Sequence, residues 1–123
     1  MPLSSRSGAV LGYVFTNSEA AAAVERMGPR PDKTRAALID TWVGALKVGG
    51  VWSKLDAAYL FASHDSNAGL ENLKGASFRA SITAAPTFLA DRGFTSNGTS
   101  SYVDTNFNPA TAAGNFVQDS ATF

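Results

Sequence analysis

At 123 residues the chain has the length of one domain, or of a small helical unit joined to part of another. Ten Lys+Arg balance ten Asp+Glu, so the formal net charge is zero. That argues against a nucleic-acid-binding domain, which needs a clustered basic excess. The absence of cysteine excludes disulfides and thiolate metal sites.

Charged residues make up 16% of the chain, below the ~25% usual in soluble domains. Gly, Ser, Thr, Asn and Ala fill the gap. The resulting uncharged polar surface suits a protein exposed outside the cell, or one that hides much of its surface in an assembly. No apolar run approaches the ~18 residues that read as a membrane span.

In chain order, residues 1–7 are Ser-rich and expected to stay disordered without a partner. Gly8–Thr16 reads as an extended arm or edge strand, with Val10, Gly12 and Val14 on one side and Leu11, Tyr13 and Phe15 on the other. Both faces are apolar, so such a strand needs cover on both. A signal-peptide reading is weak, because the apolar run is brief and no A-x-A site follows it. Asn17 or Ser18 then caps a short helix over Ala20–Met27, with Glu19 favoured by the helix dipole. Gly28-Pro29 stops it. Residues 1–30 form this arm and helix.

Residues 31–74 read as a helical segment. Asp32 or Thr34 caps a helix whose Leu38, Trp42, Ala45 and Leu46 recur at helical spacing, widened by Ile39 and Val43. Lys33, Arg35, Asp40 and Lys47 are its charged members. Gly49-Gly50 ends it. Trp52, Leu55, Ala58 and Tyr59, with Leu60 and Phe61, trace a second amphipathic helix, giving an αα-hairpin. Trp42, Trp52, Tyr59 and Phe61 would fill its aromatic core. A short third helix, Asn67 to Leu73, precedes a boundary at Lys74-Gly75.

Residues 75–123 are richer in Ser, Thr, Gly and Asn and read as β. Phe78, Ala80 and Ile82 alternate with Arg79 and Ser81 as a first strand, broken by Ala85-Pro86. Phe88 and Leu89 lead into an Asp91-Arg92-Gly93 turn. Asn97-Gly98 predicts a type I′ hairpin joining Phe94–Ser96 to an alternating Thr99–Thr105 strand. A last strand spans Asn115 to Phe123. The fold class is α+β. About four strands fit here at ~5–6 residues each, whereas a two-sheet sandwich needs about seven.

Candidate chemistry is sparse. Ser63-His64-Asp65 holds the only histidine beside a carboxylate. Triads assemble from distant positions, however, so Asp65 or Ser66 is expected as a helix cap and His64 as a loop residue. Asp91 and Asp104 flank the hairpin and could meet across it as Ca²⁺ ligands. A calcium site needs six to eight oxygens, so an Asx turn onto Gly93 and a strand-end cap are the better readings. The carboxylates are too sparse to nominate a glycosidase pair. Trp42 and Trp52 could stack on sugar, but their helical spacing favours core. Asn97-Gly98-Thr99 matches a glycosylation acceptor, yet the hairpin explains it better. No catalytic, cofactor-binding or metal-binding residue is nominated, and glycan-binding positions stay unassigned.

The stretch PTFLADRGFTSNGTSSYVDTNFNP, Pro86 to Pro109, resembles a segment of tail-associated proteins of tailed bacteriophages and prophages. There, a turn of "DRG + aromatic" precedes "G + small residues + Y-[LIV]-D-T-G-F-N-P". It also looks like the opening strands of the laminin-G-like, or concanavalin A-like, lectin/glucanase sandwich. The upstream run Leu46 to Asp65 is similar to the helical segment preceding it in those phage proteins. This chain departs at Asn106, where the pattern usually has Gly; Asn is the next most tolerant of positive φ. The resemblance implies a non-enzymatic virion component of a tail fibre, tail tip or other appendage. It would dock through its N-terminal part, begin a jelly-roll-like sandwich incomplete in this chain, and form a homo-oligomer, with a trimer favoured. Other virion proteins, and a host-surface glycan, are the implied partners. The alternative is the N-terminal part of a glycan-cleaving tailspike or glucanase with active residues beyond Phe123.

Overall fold

The computed structural model describes residue 10, residues 12–112 and residues 114 and 115. Within these it is a mixed α+β protein with no closed barrel. Helices α1 (Ser18–Arg26), α2 (Lys33–Val48) and α3 (Ser66–Gly69) precede strands β1 (Ser81–Thr83), β2 (Thr87–Leu89), β3 (Gly93–Thr95) and β4 (Tyr102–Asp104). A last turn, α4, spans Pro109–Ala112.

Helices α1 and α2 form the centre. Ala20, Ala21, Ala23 and Val24 of α1 are buried, and their small side chains let the two helices approach closely. Asp32 caps α2, accepting from Arg35 N at 2.9 Å. The buried side of α2 carries Ala36, Ile39, Asp40 and Val43. The expected stripe is therefore rotated: Leu38 is 63% exposed, and Trp42 and Leu46 pack half-buried at the flank. The cause is Asp40. Its carboxylate collects donors from the segment before α1, which fixes that face inward.

The second helix of the expected hairpin does not form. A single 3₁₀ turn, Trp52–Lys54, is followed by extended chain from Leu55. A competing set of partners wins: Ala58 N donates to Asn72 Oδ1 at 3.0 Å, and Leu73 N donates to Ala58 O at 2.8 Å. The aromatic residues divide accordingly. Trp52 lies in the helical core with Val24, Ile39, Val43 and Leu73. Tyr59 and Phe61 stack at 5.5 Å between ring centroids, the same-side relation of i and i+2 in extended chain. Phe61 then meets Phe94 of β3 edge-on at 6.1 Å.

The third helix is also shorter than Asn67–Leu73, ending at Gly69. Asp65 caps it, accepting from Asn67 N at 2.8 Å. A Cβ on Gly69 would lie 3.2 Å from Phe61 O, so the close passage of the extended strip favours glycine there.

The strands pair as two separate antiparallel ladders. One joins β1 to β4 with Ile82 opposite Val103, and the other joins β2 to β3 with Phe88 opposite Phe94. The hairpin thus turns at Ala90-Asp91-Arg92 and not at Asn97-Gly98. Asp91 takes φ 64° there, and Arg92 N closes the turn onto Leu89 O at 3.0 Å. At Asn97 the side chain captures successive backbone donors and opens a wider loop (below). The first strand begins at Ser81, three residues after Phe78, which is left-handed at φ 60°. Asn106 adopts φ 59°, the conformation expected where the pattern has Gly.

Two further expectations meet the limits of the described residues. In the predicted Gly8–Thr16 strand, Val10 and Tyr13 face each other across a tight turn with Gly12 at φ 84°, so this part is not extended. Residues 1–9 and 11, and nearly all of the predicted Asn115–Phe123 strand, lie outside the description.

Bonds cross the Lys74-Gly75 boundary. Ala80 N donates to Leu70 O at 2.8 Å, and Asp91 N donates to Ser63 O at 2.9 Å. The Tyr59 hydroxyl reaches Phe78 O at 2.5 Å and Thr105 O at 3.2 Å. Burial pushes the Tyr59 pKa up, with the charge of Glu71 adding to it.

Candidate functional site

Three polar clusters carry what chemistry the described residues offer. The first clasps the exit from α1. His64 Nε2 lies 2.7 Å from Pro29 O, and since a carbonyl only accepts, Nε2 is the donor. In the neutral ring this leaves Nδ1 to accept from Ser63 Oγ at 3.2 Å. Asn67 Nδ2 donates to Gly28 O at 2.6 Å, and Arg79 donates to Asn67 O at 2.7 Å. Buried Glu71 pairs with Arg26 Nε at 2.9 Å and faces Arg79 Nε at 3.6 Å. Ser63 is buried, and Asp65 faces the α3 backbone instead of His64. Each member of Ser63-His64-Asp65 is thus placed to hold a loop together.

The second cluster is Asp40, 2% exposed, with no lysine or arginine paired to it among the described residues. Its oxygens accept from Tyr13 Oη at 2.5 Å, Thr16 N at 2.7 Å, Asn17 N at 2.9 Å and Asn17 Nδ2 at 2.8 Å. Burial works against the carboxylate, but these donors outweigh it and hold its pKa below the ordinary value. The Tyr13 pKa is pushed up to about 12, first by the bond to Asp40, then by burial and the Asp40 charge. A Cβ on Gly44 would come within 3.0 Å of Asn17 Nδ2, so the absent side chain there makes room for this amide.

The third is the Ser96–Ser101 loop. Asn97 Oδ1 accepts from Thr99 N and Ser100 N, each at 2.9 Å, and from Ser101 N at 3.1 Å. Below it, Ser101 Oγ, which is buried, accepts from Asn97 N at 2.8 Å.

Asp91 and Asp104 do not face one another across a hairpin. They belong to different ladders: Asp91 bonds the Arg35 guanidinium, and Asp104 Oδ1 accepts from Asn106 N at 2.8 Å. The strand-end role expected of Asp104 is present. Asp91 reaches Arg35 instead of making the Asx turn onto Gly93. No group of three or more His, Asp or Glu side chains gathers around a possible metal among the described residues. Trp52 is buried, with Lys74 Nζ 4.6 Å above its ring and donating to Trp52 O at 2.7 Å. No helix among the described residues is long and apolar enough to cross a membrane.

The β ladders expose three large apolar side chains. Ile82 is 42%, Leu89 61% and Tyr102 53% exposed. Nothing in the alternation of these short strands distinguishes that outcome from burial against a second sheet. Reading from sequence also missed Glu71 and the role of Asp40. A carboxylate one turn from Ala36 and beside Ile39 and Val43, on an apolar stripe, was the available signal for Asp40.

The fold and these clusters define a small α+β protein with a polar-braced helical core and thin, open β ladders. Comparison with protein-family models, curated proteins and solved structures finds no match to this chain.

Proposed function

We propose that the chain is a non-enzymatic structural component of a tailed-phage virion, in a tail fibre, tail tip or other appendage. The observation that carries this reading is the exposure of large apolar side chains on two unjoined ladders, Ile82 and Tyr102 on opposite faces of one and Leu89 on the other. Two-stranded ladders are marginal alone and gain stability from added strands or a covering surface. The resemblance of Pro86–Pro109 to phage tail segments supplies the setting. In that setting the ladders open a jelly-roll-like sandwich, and neighbouring chains, in a homotrimer or among other virion proteins, cover it. Glycan recognition by the β part rests on fold analogy alone.

Mass spectrometry of purified phage particles from the cell that encodes the chain tests the reading. Peptides of this chain at stoichiometric abundance are expected. Their absence from particles, with the protein present in the lysate, overturns it.

A further inference from the structure

We propose that Asn97 is a self-modification site, at which the folded Ser96–Ser101 loop promotes deamidation of Asn97 through a succinimide. Of the seven asparagines, only Asn97 precedes a glycine, so only there can the following amide nitrogen approach the side chain without a Cβ in the way. The loop arranges three further features around that pair.

The electrophile is polarised. Asn97 Oδ1 receives the backbone N–H groups of Thr99, Ser100 and Ser101 and also lies 3.2 Å from Thr99 Oγ1. These preorganised donors surround the oxygen on which negative charge develops when Cγ is attacked, as donors do in an oxyanion hole. The nucleophile is also engaged: Gly98 N donates to Ser96 Oγ at 2.9 Å, and Gly98 takes φ 83°. Finally, Asn97 Nδ2 donates to Ser100 Oγ at 3.1 Å, so a hydroxyl sits beside the nitrogen and can protonate it once attack at Cγ frees its lone pair. Asn97 and Gly98 are both exposed, so water and hydroxide reach them.

The chemistry needs only water. Gly98 N loses its proton to solvent hydroxide, and its nitrogen attacks Asn97 Cγ to form the N–Cγ bond. The tetrahedral oxyanion collapses, the Cγ–Nδ2 bond breaks, and Nδ2 takes a proton from Ser100 Oγ, which is reprotonated by solvent, and leaves as ammonia. Water then opens the imide. Cleavage of N–Cγ leaves aspartate, and cleavage at the Asn97 backbone carbonyl leaves isoaspartate. No electron is gained or lost. The same backbone donors that polarise the amide bind the product carboxylate more strongly, because the acceptor is then charged.

The test compares native protein with the same chain unfolded in urea at mildly alkaline pH, following ammonia release and peptide mass at each asparagine. Native Asn97 should deamidate about tenfold faster than in urea. That is less than the ~10²–10³ one donor contributes in a buried oxyanion hole, because this loop is solvated. The other six asparagines should not be accelerated by folding. Ser101→Ala, which removes the acceptor for Asn97 N, should bring the native rate down to the urea value while circular dichroism confirms a folded chain. Asn97→Gln should abolish the reaction at that position. A native rate equal to or below the rate in urea overturns the proposal, whatever the variants do.

Discussion

The helical part and the β part of this molecule solve the burial problem differently. Around α1 and α2, apolar side chains close over one another, and the polar groups that go inside are matched: Asp40 with four donors, Glu71 with Arg26, and Asn72 with Ala58 N, Lys74 N and Ser77 O. No buried side-chain nitrogen or oxygen among the described residues lacks a partner. The β part instead carries three-residue strands, five non-glycine residues at positive φ among the described residues, and exposed Ile82, Leu89 and Tyr102. Local side-chain bonds hold its loops, yet little apolar cover lies over its strands. Stability should therefore reside in the helices, and surface for assembly in the ladders.

The largest expected effect tests the first half of that comparison. Trp52→Ala removes the largest side chain of the helical core and should cost ~3–5 kcal/mol in urea denaturation. Trp42→Ala should cost distinctly less, because Trp42 is only half-buried at the flank of α2. Equal losses at the two positions would show that the core extends around α2 further than its buried face.

Asp40→Ala comes next. It strands the Tyr13 hydroxyl and the Thr16 and Asn17 donors, and about 1–3 kcal/mol is expected for such uncompensated groups. The native protein should show the same node in its pH dependence. Asp40 has a lowered pKa, so its contribution is present above the unfolded carboxylate value and is lost as pH falls through the lower folded value. Tyr13 has a raised pKa, so its contribution is full below the unfolded value of ~10 and is lost as pH rises through about 12. Tyr13→Phe should reduce the alkaline loss measured by denaturation against pH, leaving the part that the raised Tyr59 contributes. An unchanged alkaline limb in this variant would detach Tyr13 from the node.

How much of this was legible in the sequence follows the same division. Asp32 and Asp65 as caps, the ends of α1 and α2, and the tolerance of Asn106 for positive φ follow from local rules, and the structure contains them. The second helix failed because Trp52 to Phe61 has helical spacing, while its backbone partners, Asn72 and Leu73, lie more than a dozen residues away. The hairpin was misplaced for a related reason. Asn97-Gly98 is a strong local turn signal, but β4 finds its partner in β1, about twenty residues upstream, and the Asn97 side chain is occupied within its own loop. Of the polar clusters, the sequence displayed Ser63-His64-Asp65 as a run and concealed Arg26–Glu71–Arg79, which only tertiary packing assembles.

The smallest expected change in stability tests the other half of the comparison. Ile82 and Leu89 stand exposed on different ladders, so replacing both with serine removes little buried area. Exposed substitutions usually change stability by no more than ~0.5 kcal/mol, and the double variant should melt within a few degrees of the parent. Under the proposed role, the same change should have its large effect on association, because these are exposed apolar side chains, one on each ladder, that neighbouring chains would cover. Light scattering should show the parent as an oligomer and Ile82→Ser/Leu89→Ser as a folded monomer. A variant that loses several kcal/mol would place these residues in the folding core and erase the contrast between the two parts. A variant that keeps both its melting temperature and its oligomeric state would move the assembly surface elsewhere, to the exposed Leu38 and Val48 side of α2.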